Sequence, residues 1–296
     1  MAQKHRLERY HGYLYIAPWL IGFLVLTLYP FVTSLFYSFT KYDIFSWEFA
    51  GLKNYVDIFT KDKIFANSLR RTLIYTVIAV PLKLAIALAM ATLLARPLRG
   101  IWLFRTVYYV PSLLGSSVAL SIIWKYLFKS DGLVNMLLKV IGVTGPNWLG
   151  DYHITFWTMV LLPMWQMGSP MVIFLAALKT VPEELTEAAS IDGANPIQRY
   201  FGITLPMISP VIFFNIIMQT IEIIQLFTPA YIITKGGPAK STYLYALMLY
   251  DTSFRDFKMG YASALSWVLF VIIIAFTLLL FRKSSSWVYY KDGEGL

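Results

Sequence analysis

The chain has 296 residues, of which 58% are hydrophobic and only 14% charged, with a net charge of +9. An average soluble domain is about one-quarter charged; a chain this apolar could not cover its surface with polar groups, so an ordinary soluble enzyme is excluded and membrane embedding is the default. Cysteine is absent and the three histidines (His5, His11, His153) form no HxxxH or HxH pair, which excludes disulfides, iron–sulfur clusters and thiolate metal sites and leaves nothing to support zinc or haem.

Six stretches supply the roughly 20 apolar residues that a bilayer core demands of a helix. Residues 1–12 form a basic, polar tail, and the first stretch follows at 13–36. Its apolar core is too long for a signal peptide, and Pro18 and Pro30 do not resemble a small-residue cleavage site, so it reads as a retained helix. The connection that follows carries GLKNY at Gly51–Tyr55 and an amphipathic stretch around 55–65. Spans at 72–94 and 106–128 come next, and then a connection with a short helical pattern at 133–141 before Gly145-Pro146. The fourth span is 155–178, the fifth 208–233 and the sixth 262–281, with 283–296 as a tail. Gly236-Gly237-Pro238 marks a turn after the fifth. The basic residues lie mostly beside these runs and never five in a row, which suits membrane-edge anchors and not nucleic acid. An even number of spans puts both termini on one side. With the termini inside, inner segments carry 11 Lys and Arg and outer ones 12, so the charge count does not decide orientation. The short Arg96–Arg105 loop and the basic ends favour the termini inside.

The connection 179–207 departs from a plain turn. Thr180 can cap a helix, Pro182 is tolerated in a first turn, and Glu183 and Glu184 suit its positive end. A helix is expected over 182–191 with Leu185, Ala188, Ala189 and Ile191 as an apolar inner side and the acids outward. Asp192-Gly193 supplies the stop, since glycine takes the positive φ of a sharp helix end. A second helix, capped by Asn195, is expected over 196–203, and Leu205-Pro206 hands the chain to the fifth span. Two readings stand: a surface joint, or a knob that another protein grips.

Polar groups at membrane depth are costly unless they line a cavity or an interface. Glu222 is the one acid inside a predicted span, on a helical side with Asn215 and Gln219 that Gln225 extends. It reads as an interhelical clamp or as part of a substrate path. Trp165, Gln166 and Ser169 lie at similar depth in the fourth span, where Gly168 and Pro170 loosen the helix; amides beside a tryptophan offer hydrogen bonds and a flat surface to a sugar. Trp124 and Lys125 read as interfacial anchors. No G-x-x-x-x-G-K-[ST] phosphate loop is present, and no catalytic residues are assigned.

The run E-A-A-S-I-D-G-A from Glu187, followed by I-T-L-P at Ile203–Pro206, resembles the EAA loop of binding-protein-dependent ABC transporter permeases. The flanking L-K-T-V-P-E-E-L, the stretch Ala17–Thr40, GLKNY and T-K-G-G-P-A-K-S-T at Thr234–Thr242 resemble carbohydrate importers, specifically the maltose- and glycerol-phosphate-type first permease subunit, without a large insertion between early spans. Pro196 and Gly202 depart from common members, which is expected to soften the second elbow helix while leaving the motif intact. The resemblance implies an all-α integral membrane fold of six transmembrane helices (domain 13–282) with a cytoplasmic helix–turn–helix loop, and both termini cytoplasmic, in a bacterial cell membrane. It implies that Glu187 makes the ionic contact to an ATPase subunit, that Gly193 permits the turn, and that Ala188 and Ala189 allow close approach, with Leu205 and Pro206 completing the motif. It further implies a second permease in a heterodimer, two copies of the ATPase that bind ATP and Mg, an extracellular or periplasmic solute-binding protein, and a carbohydrate path on the helices flanking the loop. A secondary transporter using Glu222 as proton carrier, a purely structural subunit and a membrane enzyme are the rival readings.

Overall fold

In hydrocarbon every backbone N–H and C=O must be satisfied within the chain, so apolar runs of this length become helices. A computed structural model of the chain describes residues 13, 15–43, 45–96 and 99–289; the tail expected at 1–12 and residues 290–296 of the other tail lie outside the described residues. Among the described residues three helices are long and apolar enough to cross a membrane: α1 (Tyr15–Ser38), α3 (Lys63–Leu94) and α13 (Met259–Ser284). The other three spans are broken. Helices α4 (Ile101–Leu113) and α5 (Val118–Leu127) meet at 106°, α7 (Tyr152–Trp165) and α8 (Gly168–Leu178) at 43°, and α10 (Pro196–Met207) and α11 (Ser209–Ile224) at 66°. Six spans result if each bent pair counts as one.

The first two breaks fall inside the spans expected at 106–128 and 155–178, and each of these two has a local cause. After Pro111, Gly115 adopts φ +54° and the Ser117 hydroxyl accepts the Leu120 N–H to cap a new helix. Pro163 removes a hydrogen-bond donor from the last turn of α7,. The fifth span ends at Ile224, nine residues early, and the chain resumes only in a wide π-helical turn at Ala230–Thr234.

Contacts group the described residues into two units, those up to 62 with 249–271, and 63–248 with those from 272 onward. In the first, α1 is followed by an unexpected hairpin, β1 (Thr40–Tyr42) paired antiparallel with β2 (Trp47–Phe49). Asp43 closes its turn, accepting the Phe45 and Ser46 N–H groups; those two bonds hold its carboxyl below the ordinary carboxylate range,. The amphipathic stretch becomes α2 (Lys53–Thr60), whose buried Asn54 donates to the Ser38 and Thr40 carbonyls. The chain re-enters this unit at Leu249, near the end of a short helix α12 (Tyr245–Tyr250) that begins in the second unit, and continues in a π-helical turn at Asp251–Arg255.

In the second unit, α3 is the axis against which α7, α8 and α11 pack. Its residues Tyr75, Ala79, Lys83, Ala87 and Ala91 recur every fourth position and are all at most 2% exposed. Alanines at that spacing let neighbouring helices approach closely. Gly168 does the same for α8: a Cβ there would lie 2.6 Å from the Tyr108 carbonyl oxygen and 2.8 Å from the Tyr109 Cα. Helix α6 (Leu133–Val140) forms where the short pattern was expected.

Candidate functional site

The elbow consists of α9 (Glu183–Ile191) and α10, joined by Asp192–Asn195. Pro182, and not Thr180, occupies the N-cap position of α9; the Thr180 hydroxyl instead donates to the Ala177 carbonyl of the preceding helix. At the other end Gly193 sits at φ +86°. Its N–H reaches the Ser190 carbonyl and the Ala194 N–H reaches the Ala189 carbonyl, the doubly bonded Schellman ending that favours glycine. Asn195 and Gln198 then bond reciprocally, side chain to backbone, to cap α10,. Arg199 ties the two helices, donating to the Thr186 carbonyl at 3.4 Å. Both ends of a four-residue joint are thus fixed. Pro196 stands in the first turn of α10, where it costs nothing,, and Gly202 falls inside a π-helical turn, Tyr200–Thr204.

The expected apolar inner side of the elbow is not inner. No residue of α9 is buried. Leu185, Ile191, Ile197 and Phe201 are all exposed, Ile191 by 87%. Glu187 and Ala188 are exposed and Ala189 half-buried, and Glu187 makes no ion pair among the described residues. Leu205 and Pro206 are half-buried at the root of the elbow.

The polar residues of the fourth and fifth spans divide into two groups. Trp165, Ser169, Glu222 and Gln225 are exposed on the chain. Gln166, Asn215 and Gln219 are buried. Gln166 donates to the Gly115 carbonyl and so ties the α7–α8 break to the α4–α5 break. Asn215 donates to Val211 one turn back, while its own Oδ1 and the Oε1 of Gln219 have no partner among the described residues. Trp165 stacks on Trp124 with ring centroids 5.6 Å apart. Trp124 is no interfacial anchor: it is buried, and its indole N–H donates to the Thr158 carbonyl. Glu222 has a partner that the residue-by-residue reading passed over. Lys83 Nζ lies 3.5 Å from its Oε2, the lysine side chain 3% exposed and the glutamate 47%. The signal for Lys83 was a single cation midway along an apolar run.

Residues 63–289 match the family model described as binding-protein-dependent transport system inner membrane component. The chain belongs to that family. It is a multi-pass permease component of a binding-protein-dependent importer, a transport subunit and not an enzyme. This permease is 46% identical over 293 residues to the probable ABC transporter permease protein YesP of Bacillus subtilis (strain 168), covering 98% of this chain and 95% of the relative. It is 36% identical over 291 residues to the lactose transport system permease protein LacF of Rhizobium radiobacter, covering 94% and 96%. Its fold matches a chain from the crystal structure of a bacterial alginate ABC transporter in complex with an alginate pentasaccharide-bound periplasmic protein, with a TM-score of 0.82, 20% identity and 96% of both chains covered.

Proposed function

We propose that this permease forms half of a translocation path for a carbohydrate and is driven through its elbow by a separate ATPase. The observation that carries the coupling is the elbow itself, a joint fixed at both ends that presents an apolar surface and a Glu187 with no ion pair among the described residues. A part that transmits motion must be rigid internally and sticky externally. In this reading the elbow is cytoplasmic, as are both termini. Leu185, Ile191 and Ile197 seat in a groove of the ATPase, Glu187 meets a cation there, and Ala188 and Ala189 allow close approach. Gly193 holds the turn, while Leu205 and Pro206 pass its movement to α11. Two ATPase copies hold the ATP and Mg; a second permease completes the path; and an extracellular or periplasmic binding protein delivers the substrate.

The carbohydrate class rests on relatives named for lactose, trehalose/maltose and sn-glycerol-3-phosphate transport. Trp165, Ser169, Glu222 and Gln225 form the path wall in this reading. Gln166, Asn215 and Gln219 stand behind it and shape it. Lys83 keeps Glu222 paired, which favours an acceptor fixed at the edge of the path over a carrier of protons.

The test is Glu187→Lys in the full chain, co-expressed with the neighbouring transport genes. The variant stays in the membrane, retains the second permease, and loses the ATPase in co-purification by about tenfold or more, the equivalent of one charge contact of about 1.4 kcal/mol. Undiminished ATPase retention and sugar uptake contradict the assignment.

A further inference from the structure

The hairpin β1–β2 belongs to neither the path nor the elbow. Helix α1 ends at Ser38 and the first strand begins at Thr40, so the hairpin lies where the chain leaves the hydrocarbon. Side chains of a strand alternate between faces, and directly paired residues share one. The pairs Thr40–Phe49 and Tyr42–Trp47 therefore share one face, and Lys41–Glu48 the other. One face is aromatic and the other is an opposite-charge pair. The aromatic face continues the membrane helix: Tyr42 stacks on Tyr37 with centroids 4.7 Å apart, and Trp47 lies 6.3 Å from Phe36. Phe36 is itself half-exposed on α1, a helix whose most apolar window has no buried residue.

Three aromatic side chains of the hairpin are uncovered by the chain: Trp47 is 61% exposed, Phe49 72%, and Phe45 at the tip 95%. Their backbone is nevertheless held firmly. Asn54 bonds the carbonyls on either side of the strand entry, and a Cβ on Gly260 would collide with the Thr40 backbone. A rigid, two-faced ribbon at the end of a membrane helix, with Trp and Phe on one side and charges on the other, has the composition of the membrane–water boundary, where amphipathic rings settle at headgroup depth.

We propose that the 40–49 hairpin is an interfacial membrane anchor, lying along the lipid headgroups with Phe45, Trp47 and Phe49 toward lipid and Lys41 and Glu48 toward water. It fixes the depth of the first span in the bilayer.

The absence of cysteine makes the test direct. Single cysteines at Lys41, Phe45, Trp47, Glu48 and Phe49 are spin-labelled in the full chain, reconstituted into nanodiscs of phosphatidylcholine and phosphatidylglycerol. Collisions with oxygen, which concentrates in lipid, are compared with collisions with a water-soluble nickel chelate. The expected result is an inversion along the strand: oxygen dominates at 47 and 49, nickel at 41 and 48. The label at Phe45→Cys lies outside both strands, so its oxygen-dominated reading is expected even where a substitution at 47 or 49 disturbs the pairing. Nickel-dominated collisions at 45, 47 and 49 overturn the anchor. So does shielding of these labels from both reagents, the pattern of a face covered by another protein.

Discussion

Lys83 and Glu222 form a pair whose two members are unequally buried, and the inequality has a measurable consequence. Removing Glu222 leaves a lysine with 3% of its side chain exposed and no counter-charge, whereas removing Lys83 leaves a carboxylate that is 47% exposed. Breaking a buried pair by deleting one partner costs about 3–5 kcal/mol, most of it from the charge left behind. Glu222→Leu should therefore approach that loss in thermal unfolding of the purified complex. Lys83→Met should cost clearly less, and the double variant should recover most of the Glu222→Leu loss. Equal losses from the two single variants contradict the pairing. Glu222 was legible in the sequence because an acid inside an apolar run stands out. Lys83 was equally legible in kind, one cation among alanines every fourth residue, but a count of apolar residues absorbs a single lysine. Which side of α11 is buried was not legible, because Asn215, Gln219 and Glu222 share a helical side in sequence while only the first two are enclosed by α3 and its neighbours.

Among the elements, the elbow and the broken spans invite contrasting glycine substitutions. Gly193 has open space around it, but its φ of +86° opposes a side chain, so Gly193→Ala costs about 1–2 kcal/mol locally and should loosen ATPase retention. Gly202 has open space and no positive φ, so Gly202→Ala should leave retention unchanged; a loss there as large as at 193 contradicts the account of the turn. Gly168→Ala meets the backbone of α4, which cannot rotate aside, and should lower the unfolding midpoint by the equivalent of about 1–3 kcal/mol. The two elbow helices could be read in advance from Asp192-Gly193 and Asn195-Pro196, since caps are local chemistry. The 106° bend of the third span could not be read from hydropathy, because a bend costs no apolar residues; its marks were Pro111, Gly115 and Ser117. The hairpin escaped notice because three-residue strands are too short to establish an alternation.

At the scale of the whole molecule, six apolar stretches, the elbow and the family agree on a permease that is incomplete alone. Long runs of exposed apolar side chains remain on α1, α4 and α13, and lipid or a second permease must cover them. Orientation was the weakest inference from sequence, since positive charge is nearly balanced between the two sides. Under the proposed function the elbow carries it instead, because an ATPase reaches only the cytoplasmic face. The most direct measurement is native mass spectrometry of the tagged chain, co-expressed with its neighbouring genes and extracted gently in detergent. The account predicts one complex of this chain, a second permease and two ATPase copies, and a complex lacking only the ATPases for Glu187→Lys. A lone chain, or a homodimer that transports sugar without ATP, would contradict it and make Glu222 a site of ion coupling.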